Sequence, residues 1–309
     1  MDARHKGGHD GLELVLLPMV PMRDFSSDHA MLSINTATVR KQGDLLEIIE
    51  ACARHGIRAI SPWRDQVATV GLDAAVKAVK THGFQLSGYC RGGMFPSDAA
   101  HAQEARDDNR RAVDEAKALG AVCLVLVVGG LPHTSRPGSA VSHDLAGARQ
   151  QVEDGIAELL EYAKPAGMPL AIEPLHPMYA ADRACVNTLE QALDICDRLD
   201  PDRTGALGVA ADVYHIWWDP NLYRDIRRAG RERLLAYHVC DWLVPTRDML
   251  TDRGMMGDGV IELKKIRQAV EAEGFSGFSE VEIFSELDWW KRPMDEVLKT
   301  CIERHKSVV

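Results

Sequence analysis

Four residues spread over the second half of this 309-residue chain could together hold a metal ion. In MPLAIEPLHPMYAADR an apolar run stops at Glu173, GVAAD stops at Asp212, LAYHVC carries His238 and SEVEIF carries Glu282. Each is a carboxylate or an imidazole at the end of a run that reads as a buried strand. A single residue of this kind is usually a cap or a satisfied buried polar group. Four in succession, all at strand ends, point instead to a shared site. Two or three carboxylates with one imidazole suit a divalent cation, Mn²⁺ first and Mg²⁺ or Co²⁺ as alternatives, with positions left for substrate. Thiolates are absent from these ends apart from Cys240, so a structural zinc site is a poor match.

Such a site needs elements that bring the four ends together. Apolar β-type runs alternate with longer amphipathic ones, the pattern of βα units with a parallel sheet. The runs are MLSIN (31–35), IRAIS (57–61), FQLSGYC (84–90), AVCLVLVV (121–128), PLAIE (169–173), ALGVAAD (206–212), LLAYHVC (234–240) and FSEVEIF (278–284). Helical patterns follow at 44–55, 72–82, about 102–119 with Gly120 as C-cap, 145–164, 188–199, near 220–229, 262–273 and about 293–306. Eight strand-then-helix units predict an α/β fold, a (β/α)8 TIM barrel whose chemistry sits at the C-terminal ends of the strands. A doubly wound sheet is the weaker choice, since no GxGxxG follows the first strand. The expected division is an N-terminal extension, 1–30, and one barrel domain, 31–309.

Bulk properties narrow the function. Net charge is −10 (36 Lys+Arg against 46 Asp+Glu), with no long basic run, which argues against nucleic acid and anionic membranes as partners. Arg227-Arg228 and Arg231-Arg233 read as a solvated helix face. The seven cysteines are scattered, never in a CxxC pair, and several lie in apolar runs. They read as reduced core residues, which predicts a cytoplasmic protein. No signal peptide is expected, and no run approaches the ~20 apolar residues that span a membrane.

The order Glu, Asp-x-x-His, His, Glu on strands five to eight resembles the sugar isomerase and epimerase superfamily with the xylose-isomerase-like barrel. IEPLHP (172–177), DVYHIWWDP (212–220), GDGVIEL (257–263) and VEIF (281–284) carry the likeness. The resemblance implies that Glu173, Asp212, His238 and Glu282 bind the metal, that His215 contacts substrate or the metal edge, and that Glu173 and Glu282 lie near the carbon that loses a proton. Glu280 shares the side-chain parity of Glu282, and the family position favours Glu282. A divalent cation would polarise the carbonyl of a keto sugar and stabilise an enediolate, while a carboxylate or histidine takes the α-proton. Reprotonation gives epimerisation or isomerisation. Loss of a β-substituent gives a lyase, as in the large subunit of C-glycoside deglycosidases, which works with a small β-rich partner subunit. A sugar-binding barrel without turnover is the non-enzymatic alternative, and a nuclease is disfavoured by the acidic surface.

The remaining candidates line the expected rim. Trp63 and Trp217 could stack on sugar C–H faces. Arg64, Arg91 and Arg253 could hold substrate hydroxyls or a carboxylate. His143, in the long loop 129–144, and His176, just after Glu173, are candidate bases. A small sugar or glycoside is the expected partner, and a homo-oligomer the expected assembly.

Overall fold

The computed structural model describes residues 22–309; residues 1–21, most of the expected extension, lie outside the described residues. Eight parallel strand positions form the wall: β1 (Leu32–Asn35), β2 (Ala59–Ser61), β3 in two pieces (Gln85–Leu86 and Tyr89–Gly92), β4 (Leu124–Leu126), β5 (Leu170–Ile172), β6 (Leu207–Asp212), β7 (Leu234–Val239) and β8 (Ser279–Val281). The hydrogen-bonded order runs from the first piece of β3 through β2, β1, β8, β7, β6, β5 and β4 to its second piece. Only Ser87 and Gly88 separate the two pieces, so the ring closes on itself as a TIM barrel. The break marks a change of partner: Ser87 N donates to Ile60 O on β2, whereas Tyr89 N donates to Cys123 O beside β4.

The helices fall where the amphipathic patterns place them, and their ends are chemically explained. Leu45–Arg54 opens with a capping box in which Asp44 and Glu47 satisfy each other's backbone N–H groups. Ala102–Leu119 ends on Gly120 at φ 76°, a left-handed conformation that glycine adopts without a Cβ clash. Apolar faces of these helices pack on the outer wall. The interior is filled by the small side chains of Cys90, Cys123, Val125, Ala171, Ala210 and Ala236. That leaves space on the axis for polar groups.

One expectation is corrected. The helix near 220–229 runs from Leu222 to a break at Gly230 (φ 60°, ψ −175°), but Arg233, just beyond it, is fully buried rather than solvated. Its guanidinium donates to Asp200 O and Leu207 O and lies 3.3 Å from the Asp200 carboxylate. An antiparallel pair, Asp241–Trp242 with Arg253–Gly254, also rises above β7 as part of an ordered loop. At the opposite end, Arg23 pairs with Glu271 and bonds Ser276 O and Gly277 O, fastening residues 22–30 across the barrel's floor.

Candidate metal centre

Parallel pairing sets the four strand-end residues side by side. Asp212 is the register partner of His238, and His238 that of Glu280. Glu173 and Glu282 each follow the last residue of their strand, and their amides donate to Leu126 O and Val239 O. All four are buried, and one ligand atom from each of Glu173, Asp212, His238 and Glu282 lies within 4.8 Å of the others. Ligands about 2.0–2.4 Å from a common ion stand at most about 4–5 Å apart, so the set fits a divalent cation. His238 Nδ1 faces this cluster, 3.1 Å from Glu173 Oε1 and 3.9 Å from Glu282 Oε2.

Glu280 and Glu282 stand on different sides of the His238 ring. Two residues before Glu282, Glu280 points inward on the same face but sits beyond the histidine. Its Oε1 is 3.5 Å from His238 Nε2, a buried nitrogen with no well-formed hydrogen bond. Asn35 Nδ2 donates to Glu280 Oε1 at 2.8 Å and to Glu282 Oε1 at 2.9 Å. Ser87 Oγ donates to Glu280 Oε2 at 2.7 Å. Asn35 Oδ1 in turn accepts from Trp63 Nε1 at 2.7 Å. One asparagine on β1 thereby fixes both glutamates and an aromatic wall.

Positive groups balance the acids. Arg253, buried on the loop above β7, places Nη1 3.0 Å from both Asp212 Oδ2 and Glu282 Oε2, over the rings of Tyr214 and Phe284. Burial opposes the charged form of His238, but Glu280, Glu173 and Glu282 outweigh it and raise its pKa well above the ordinary value. Burial pushes Glu282 up to about 8 against the pull of Arg253. Asp212 is held below the usual range because Arg253, His215 and His238 outweigh its burial. His215 is the counter-example: burial takes it down to about 3, a neutral imidazole whose Nε2 lies 3.1 Å from Arg253 Nη2.

A cavity of about 470 Å³ opens above this floor and includes Glu173, Glu282, His215 and Arg253 in its lining. Trp63, Arg64 and Arg91 also line it, but in different states. Arg64 is consumed by a bidentate contact with Asp108 and a 2.7 Å bond to Glu115, so it braces the wall. Among the described residues the Arg91 guanidinium makes one hydrogen bond, to the Met94 sulfur at 3.2 Å, and lies over the face of Trp63. Three candidates are directed elsewhere. His143 is exposed in the loop before helix Leu145–Ala166 and is not in the lining. The His176 ring stacks on Trp242 at 5.1 Å, while its backbone nitrogen lies 3.1 Å from His215 Nδ1. Trp217 packs against the core beside Trp242, and Trp218 Nε1 donates to His215 O.

Asn35, Tyr179 and Arg183 belong to the site or its lining and were not singled out from the sequence as site residues. Asn35 ends β1 as Glu173 ends β5, so the strand-end rule that found the carboxylates could have found it.

The sequence profile of the xylose isomerase-like TIM barrel family matches residues 49–301. An inosose isomerase of Bacillus velezensis is 25% identical over 291 residues, 90% of this chain and 96% of the relative. The crystal structure of protein SMc04130 from Sinorhizobium meliloti shares 60% identity and a TM-score of 0.85, covering 90% of this chain and 98% of that one. The zinc-containing structure of the IOLI protein, at 22% identity and a TM-score of 0.75 over 90% of this chain and 98% of its own, shows the same fold. By its sequence and its barrel, this chain belongs to the xylose isomerase-like TIM barrel family.

Proposed function

We propose that this chain is a metal-dependent enzyme of the sugar isomerase and epimerase type, removing a proton α to the carbonyl of a keto sugar. The observation that carries the reading is the set of four buried ligand groups within 4.8 Å of one another on the floor of a cavity of sugar size. The likeness to an inosose isomerase supports a cyclic polyol ketone or a related sugar as substrate. Glu173, Asp212, His238 and Glu282 would hold the ion, Mn²⁺ in our reading, which when bound supplies Lewis-acid polarisation of the carbonyl.

The chain's own groups divide the remaining work. Glu173 and Glu282 both reach the cavity, so either can accept the proton. His215, neutral and buried, offers a hydrogen-bonding edge without adding charge. Arg253, paired with Asp212 and Glu282 and lining the cavity, would add a fixed positive charge close to the substrate. The alternative, β-elimination, has no specific observation in its favour. Seven buried free cysteines support a cytoplasmic setting.

Deuterium incorporation from D₂O into keto sugars, with Mn²⁺ present, tests the reading. Metal-dependent label at the α-carbon, lost in Glu282→Gln, is the expected result. Tight metal binding with no exchange into any keto sugar would overturn the reaction, and absence of metal binding would overturn the site.

A further inference from the structure

Five arginines line the cavity: Arg40, Arg64, Arg91, Arg183 and Arg253. Acids on the wall or floor account for three of them. Arg40 pairs with Asp65, Arg64 with Asp108 and Glu115, and Arg253 with Asp212 and Glu282. Arg91 differs: half-buried just past the strand-three break, it makes no ion pair among the described residues. One N–H of its five points at a thioether, a weak acceptor, and its plane is held near the face of Trp63, 5.9 Å from the ring centroid. Arg183 enters from the loop after β5. Among the described residues its one ion pair is with its neighbour Asp182, 3.5 Å away and 65% exposed, and its guanidinium lies over the Tyr179 ring.

The electrostatics agree with this geometry. Burial and then the charge of Arg183 hold the Arg91 guanidinium below its usual pKa, whereas the acid-paired Arg64 and Arg253 are both raised above it. Asp65 and Glu173 act in the opposite direction without reversing the shift, and neither forms an ion pair with Arg91. A buried, under-compensated guanidinium is costly unless something anionic completes it. Here the space it faces is the cavity itself.

We propose that Arg91 and Arg183 form an anion subsite on the wall of the cavity, so that the substrate is a keto sugar bearing a carboxylate or a phosphate. This rests on the keto-sugar reading above and adds a substrate class to it. The planar fork of Arg91 matches two oxygens of either group. Arg183, more exposed, supplies a second charge and steers the anion inward. The Trp63 indole, itself anchored on Asn35, has the Arg91 guanidinium over its face.

Two measurements test this separately from the reaction. In the first, metal-loaded protein is titrated calorimetrically with inorganic phosphate and, in a second arm, with a non-reactive sugar acid such as gluconate. The stronger arm distinguishes phosphate from carboxylate. Affinity in one arm should fall about 10–100-fold in Arg91→Met, less in Arg183→Met, and recover in part in Arg91→Lys. In the second, D₂O exchange is followed on matched neutral, 6-carboxylate and 6-phosphate keto sugars, and the ratio of kcat/KM, anionic over neutral, is compared between wild type and Arg91→Met. A ratio above one that drops by a similar factor supports the subsite. Equal losses on neutral and anionic substrates, or anion affinity indifferent to both arginines, would overturn it. Arg91-dependent anion binding without exchange into any keto sugar would leave the subsite standing and sink only the reaction.

Discussion

His238 has a carboxylate on each side. Glu173 and Glu282 stand at Nδ1, and Glu280 lies 3.5 Å from Nε2. An imidazole that offers one nitrogen to an ion needs an acceptor at the other, which fixes its tautomer and the plane of its ring. Glu280→Gln is therefore expected to weaken divalent-metal binding by about 10–100-fold while the barrel stays folded, measured by competition with a chromophoric chelator. Unchanged affinity would make Glu280 a buried barrel residue and nothing more. Asp212, His238 and Glu282 were legible in the sequence because each ends or nearly ends an apolar run. Glu280 was legible only as a rival, since period-two alternation gives the same face to both glutamates. Trp217 illustrates the opposite failure. It follows His215 by two residues at a helical turn, and two residues rotate a side chain by about 200° around a helix. Closeness in sequence to a site residue thus turned it toward the core.

The loop above β7 is the element with most to do and the least visible from sequence. GDGVIEL read as a family signature, yet nothing in its composition announces how it is built. Asp241, fully buried, accepts from the backbone nitrogens of Trp242, Ile261 and Gly257. At Gly259 a Cβ would meet Trp242 O at 2.2 Å and Asp241 Oδ1 at 2.5 Å, so only glycine allows the loop to close over that carboxylate. This knot holds the short antiparallel pair that presents Arg253 to the metal centre. Asp241→Ala should destabilise the protein by at least about 2 kcal/mol, since it strands buried N–H donors. In hydrogen exchange the increase should concentrate in residues 241–261. Protection lost evenly over the barrel would show that the knot serves global stability and not this loop. The eight strands and main helices, by contrast, were readable to within a few residues, because their patterning is set by burial against one continuous core. The short helix Arg64–Val70 escaped notice because its seven residues span too few turns to show a period.

At the scale of the whole molecule, the floor of the barrel contains a group that should make stability depend on pH. His305 is fully buried, stacked on Phe25 at 4.6 Å, with no partner for either ring nitrogen among the described residues. Burial, then Arg267, His29 and Arg23, take its pKa down to about 3, with Asp28 opposing. A histidine whose folded pKa lies below the unfolded value of 6.5 favours folding fully above 6.5. That contribution is lost as pH falls from 6.5 toward 3, by about 2 kcal/mol at pH 5. His215 acts with the same sign, so His305→Phe should remove part of the drop in melting temperature between pH 7 and pH 5. An identical drop in the variant would show that His305 finds a proton-tolerant setting. No sequence pattern marks this residue, since a histidine near the end of an amphipathic helix is indistinguishable from a solvated one until its neighbours are known.

All seven cysteines are free and buried, distributed from helix Leu45–Arg54 to helix Met294–Val308. Burial also raises the thiol pKa of each, so no thiolate is offered at the surface. The protein thereby carries its own set of hidden reporters. Under native conditions an alkylating reagent should find nothing to modify until the barrel opens, and an opening that exposes one thiol should expose the rest. Intact-mass spectra taken over time would then show two populations, one unlabelled and one with seven adducts, and their ratio would count excursions of the whole ring.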